Sequence, residues 1–172
     1  MRWLPLLLTI LLASCGAPPS VRDFADTAPA LDPVAFFTGN VRSWGVMERS
    51  GAPTAVVTTD CVGEMAGDSL RMTQVLQIGD DKPVTRQWRM RRAGPGRYAA
   101  VANDMVGTAE GEASGRAFHW TWTLATSPGN RLRNVTMDQW WYLLDDGTML
   151  NRTRIRKLGV TLAEVTEHFA RR

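Results

Sequence analysis

The chain reads as an all-β domain, and three observations carry that reading. From Trp44 onward, turn residues punctuate the sequence at short intervals. The segments between them alternate apolar and polar side chains, and none shows the long helical periodicity of a βαβ protein. Successive antiparallel hairpins with one apolar face either close as an up-and-down barrel or stack as a sandwich. The expectation is an antiparallel barrel of about 8–10 strands, preceded by a short helix.

The N-terminus stands apart from that domain. Arg2 precedes an apolar run from Trp3 to Ala13, broken by Pro5 and Thr9, which ends in Leu12-Ala13-Ser14-Cys15. A helix needs about 20 apolar residues to span a bilayer. This shorter run reads as a cleaved bacterial lipoprotein signal over 1–14, with lipid attached at Cys15. Gly16 replaces the aspartate that retains many lipoproteins at the inner membrane. The address expected is therefore the outer membrane of the cell envelope, facing the periplasm. Residues 15–32, rich in Pro, Ala and Asp, read as a lipidated tether. The barrel domain is placed at 33–172.

Asp32-Pro33 supplies a cap and first residue for a helix from Pro33 to Phe37. Its Phe36-Phe37 pair is too apolar for a linker and should plug the core. Strands are expected over Thr54 to Cys61, Ser69 to Ile78 and Val84 to Arg92, the last two separated by the turn 79–83. The turn Ala93-Gly94-Pro95-Gly96 leads into Arg97 to Asn103, followed by Val106 to Ala113 and Arg116 to Leu124. After the turn 127–130 come Leu132 to Leu144 and Met149 to Lys157. Val160 to Phe169 mixes helix and strand formers, and it is read as the strand that closes the barrel.

A formal charge of +3 argues against bulk nucleic-acid binding. Of two cysteines, Cys15 belongs to the lipid signal, which leaves Cys61 as a small buried hydrophobe in a strand. Glu164, Glu167 and His168 lack the spacing of helical zinc motifs, and no nucleophile-elbow pattern occurs. No metal, cofactor or catalytic residue is expected.

Polar residues set among apolar ones say more. Period 2 puts Arg86 on the face of Val84, Trp88 and Met90, and puts Asn151 and Lys157 with Met149 and Ile155. A charge turned toward a core needs a partner, and Asp104 and Asp138 are the candidates. Arg152, Arg154 and Arg156 take the opposite, solvated face. Trp44, Trp88, Trp120, Trp122, Trp140 and Trp141 are core residues or the wall of a cavity.

Several ordered motifs together resemble a bacterial lipoprotein family catalogued as a domain of unknown function, the 3833 family. They are Phe36-Phe37-Thr38-Gly39, Trp44-Gly45, Arg86-Gln87-Trp88, Asn103-Asp104 with Gly107, Ala109 and Gly111, Asp138 with Trp140, Asn151-Arg152, and Lys157-Leu158-Gly159. The resemblance runs from about Phe36 to the end and implies a lipocalin-like (calycin-like) barrel with no assigned activity. In lipocalins an early Trp packs on a late basic side chain. By that analogy Trp44 would meet Lys157 or Arg156.

Two functions follow. In the first, the anchored barrel binds a small hydrophobic molecule or lipid, with Trp44, Trp88, Trp120 and Trp140 as wall and Arg86, Asp104, Asp138, Asn151 and Lys157 as orienting groups. In the second, the core is filled and the protein is a structural or assembly partner. Its basic faces, Arg152, Arg154 and Arg156 or Arg89, Arg91, Arg92 and Arg97, would meet acidic partners or phospholipid heads. An enzyme is a third possibility that no motif supports. An interior of a few hundred cubic ångströms would favour the first.

Overall fold

The computed structural model describes residues 19–127 and 129–172. Cys15 and the signal over 1–14 lie outside them. Ten antiparallel strands form a closed barrel: β1 (Gly39–Arg49), β2 (Ala52–Ala66), β3 (Ser69–Ile78), β4 (Val84–Gly94), β5 (Arg97–Ala102), β6 (Met105–Ser114), β7 (Ala117–Leu124), β8 (Val135–Leu143), β9 (Met149–Lys157) and β10 (Val160–Arg171). Every strand pairs with its sequence neighbours, and β10 closes on β1, with Val41 opposite Arg171 and Arg49 opposite Ala163. The ambiguous C-terminal segment is thus the closing strand. Its β-branched residues fit the pleat, and closure removes the barrel's open edges.

One end of the barrel is plugged. The helix α1 (Pro33–Phe36) starts where Asp32 accepts hydrogen bonds from the backbone N–H groups of Val34 and Ala35. It delivers Phe37 into the barrel, edge-on to Trp141 and Phe169 at centroid distances of 5.3 and 5.7 Å. Behind this plug lies the main apolar layer, which includes Leu70, Met90, Phe118, Trp120 and Met149. Phe118 sits so close to Gly111 that a Cβ there would approach its ring to 2.3 Å, so β6 must carry glycine at that point. Met47, Val57, Ala163 and Val165 form a second, smaller apolar cluster.

The expected tether differs from what is seen. From residue 19 the chain is seated on the barrel. Val21 and Leu31 are buried, Phe24 packs on Tyr142 at 5.6 Å, and the Leu31 N–H donates to the Gly115 carbonyl at 2.8 Å. Arg116 donates to the carbonyl of Ala28 from its side chain and to Thr27 from its backbone. Gly115 has φ of +51°, and a Cβ there would collide with the Phe24 carbonyl at 1.8 Å. Two apolar anchors outweigh the spacer-like composition around them.

Candidate functional site

Polar side chains lie between the two apolar clusters, inside the barrel. Alternation along β10 turns Glu167 inward between Val165 and Phe169. Its Oε1 accepts hydrogen bonds from Ser43 (2.6 Å) and Thr59 (2.7 Å), and its Oε2 accepts one from Asn151 Nδ2 (3.0 Å). Gln139 accepts from the indoles of Trp120 (2.8 Å) and Trp122 (2.6 Å) and donates to Thr153 (2.9 Å). On β3 and β4, Gln74 accepts from Trp88 Nε1 (2.9 Å), and Arg86 binds Asp104 at 2.7 Å. The Arg86 guanidinium also lies 5.6 Å from the Trp88 ring centroid and 5.0 Å from that of Trp122. Satisfied networks of this kind fix one arrangement of the interior.

What remains empty is small. A cavity of about 40 Å³ lies among Gln74, Arg86, Trp88, Trp120, Asn151 and Glu167. That is room for roughly three water molecules and far below the volume of an acyl chain. Cys61 is buried beside this layer. Burial first, then the charges of Glu167 and Asp60, push its thiol up to about 12.

The structure therefore brings together Arg86, Trp88, Asp104, Trp120 and Asn151 of the residues expected around a pocket, and places the others elsewhere. Trp44 is 46% exposed on the outer face of β1. The cation over its ring is Arg42, 5.6 Å away on the same strand, rather than Lys157 or Arg156. Inward Gln139 and Trp141 force Asp138 and Trp140 outward on β8. Lys157 is half-buried at the end of β9, beside the turn into β10, and does not line the cavity. Asp138 pairs instead with His119 (2.8 Å) and Arg156 (3.3 Å) on the outer face. Glu167 is the inward carboxylate that the sequence reading missed.

The large concavity is outside. A groove of about 800 Å³ runs over the outer wall from the β4–β5 hairpin to β8. Arg91, Arg97, Glu110, Glu112, Thr121 and Trp140 line it, and Val21 forms one flank. His119 stacks on Trp140 at 4.3 Å, and Trp140 stacks on Tyr142 at 6.0 Å. A second recess of about 160 Å³ shares Arg91 and Ala99 with the groove and adds Ser69 and Arg89.

Known folds match this architecture. Rv2717c from M. tuberculosis superposes with a TM-score of 0.60 over 86% of this chain and 99% of that one, at 16% identity. An S-type phycobiliprotein lyase, CPES, from Guillardia theta gives a TM-score of 0.56 over 79% and 87%, at 7% identity. Likeness at these identities is likeness of fold. No protein with a curated description matches the chain. The sequence itself matches one family model over residues 9–171, so the chain belongs to the family described as protein of unknown function, DUF3833.

Proposed function

We propose that this is a lipid-anchored protein of the bacterial envelope that binds a small amphipathic molecule in the groove on its outer wall. The anchor is Cys15, read from the lipoprotein signal, and the address is the periplasmic side of the outer membrane. The observation that carries the binding reading is the contrast in volume, about 800 Å³ outside against about 40 Å³ within. Small-molecule sites occupy about 300–1,000 Å³ and combine apolar lining with a few placed polar groups. Val21, Ala99 and Trp140 supply the first, and Arg91, Arg97 and His119 supply cationic or hydrogen-bonding partners for an anionic head. The test is thermal unfolding of the full chain against fatty acids and lysophospholipids. A ligand at a hundred times its Kd stabilises by about 2.7 kcal/mol. That shift should vanish in Trp140→Ala combined with Arg97→Ala, and a shift that survives both changes places the site elsewhere.

A second reading keeps the ligand inside. The cavity is lined by Gln74, Arg86, Gln139, Asn151 and Glu167, and by Met72 and Met90, whose unbranched side chains repack readily. Trp88 and Trp120 would form its wall. Under this reading Arg86→Met, which removes the one cation among the cavity's described lining residues, abolishes the shift, and the groove variants leave it intact.

A further inference from the structure

Arg71, Arg89, Arg91 and Arg97 project from the outer wall of β3, β4 and β5, and among the described residues none is in an ion pair. Arg71 faces Arg89 directly across the ladder, while Arg91 faces Ser69 on one side and Ala99 on the other. Like charges placed opposite each other destabilise a sheet. Glu64 stands opposite Arg71 and Glu112 opposite Arg97, neither closing an ion pair, and Glu110 lies opposite Ala99. The guanidinium groups of this wall therefore stay unpaired within the fold, most clearly Arg89 and Arg91, which face no carboxylate across either ladder.

The chain leaves the barrel beside this wall, over β6 and β7. Pro19, Ser20 and Val21 share the groove with Arg91 and Arg97. Val21 is buried, and Ser20 and Asp23 form a reciprocal cap that fixes the exit. Five peptide units link Ser20 to Cys15, which even fully extended reach only about 18 Å. An acyl chain on Cys15 thus keeps the exit over β6 and β7 near the bilayer, and the charge beside it decides which flank turns inward. We propose that the wall lies against the anionic phospholipid headgroups of the leaflet that anchors Cys15. Arginines are drawn to such a surface. The half-buried Trp140, on β8 at the far flank of the groove, is a residue type that settles at the membrane–water boundary. The inference rests on the reading of Cys15 as acylated, and it turns the groove toward the leaflet.

The test places single reporter cysteines on the full-length protein in vesicles of phosphatidylethanolamine and phosphatidylglycerol. Buried Cys61 stays silent to a maleimide. Val101→Cys, facing Arg89 on the basic wall, should label ~10-fold more slowly than Thr166→Cys on β10, diametrically across the closed barrel, the protection expected of a basic face held to an anionic surface. Vesicles of phosphatidylcholine alone should bring the two rates together, and so should Arg89→Glu with Arg91→Glu. Equal rates on the anionic vesicles, with mass spectrometry showing acylated Cys15, overturn the orientation and leave the anchor standing. A free Cys15 thiol or an uncut precursor removes the anchor, and this inference with it.

Discussion

The barrel carries two runs of outward arginines, and they differ in what stands beside them. On β9, Arg152 and Arg154 reach Glu164 at 3.4 and 3.0 Å, and Arg156 reaches Asp138 at 3.3 Å. On β3 and β4, Arg71 stands between Glu64 and Arg89 across the ladders, and Arg89 and Arg91 otherwise face only Val101, Ser69 and Ala99. The first run is neutralised because β8 and β10 turn carboxylates to the same face at the matching register. The second has one carboxylate across the ladder, Glu64 opposite Arg71, and among the described residues none of its arginines closes an ion pair. A basic run in a sequence therefore says little until its cross-strand partners are known, and only the run whose arginines close no ion pair is left to attract something outside the chain.

Burial sets the far end of this scale. Arg86 is 8% exposed and binds Asp104 at 2.7 Å through Nε. Breaking a buried pair from one side costs about 3–5 kcal/mol, because a charge is left stranded. Asp104→Ala should lower the unfolding free energy by roughly 3 kcal/mol, toward the low end because Asp104 is partly exposed. Denaturant titration of the full chain measures it. A loss under about 1 kcal/mol would show that Arg86 behaves like the surface arginines of β9.

The requirement behind that pair was legible. Arg86 shares parity with Trp88 and Met90, so it had to turn inward and find an acid. Trp140 was not legible in the same way, because Trp140 and Trp141 are adjacent and one of them points inward in either register. The choice is made by Gln139, whose carbonyl is taken by the indoles of Trp120 and Trp122, a contact between strands that no single strand announces. Glu167 could have been found by the argument used for Arg86, since it alternates with Val165 and Phe169. The mixture of helix and strand formers over 160–169 masks that alternation. The seating of residues 19–32 was masked by their composition. Val21 and Leu31 were its signal, but two apolar residues among Pro, Ala and Asp do not reveal a docking partner.

The neutralised wall should respond to pH. Burial raises the Glu164 carboxyl, but the hydrogen bonds and charges of Arg154 and Arg152 outweigh it and hold the group below its ordinary 4.5. A depressed folded value stabilises above the unfolded one, so the contribution is full above about pH 4.5 and disappears as pH falls through the folded value. At neutral pH, Glu164→Gln should cost no more than about 1 kcal/mol, since the pair is partly exposed. The gap between the two proteins should close on acidification. Thermal melts across pH measure this, and a gap that persists in acid would assign the effect to packing rather than to charge.

The smallest effect is the most telling for the two walls. Arg89→Thr removes one member of the Arg71–Arg89 repulsion and puts a strand-favouring side chain in its place. It should therefore stabilise the isolated protein, by about 0.2–1 kcal/mol. Arg154→Thr makes the same exchange on the neutralised wall but breaks a contact to Glu164, so its sign should be opposite. Salt should narrow the difference, because both terms are exposed electrostatics and are screened within about 10 Å at moderate ionic strength. Opposite signs would mean that the β3–β4 arginines are held at a cost to the fold, which their own neighbours do not offset. If both variants destabilise alike, the two walls are equivalent ordinary surface, and the case for an anionic partner on one of them falls.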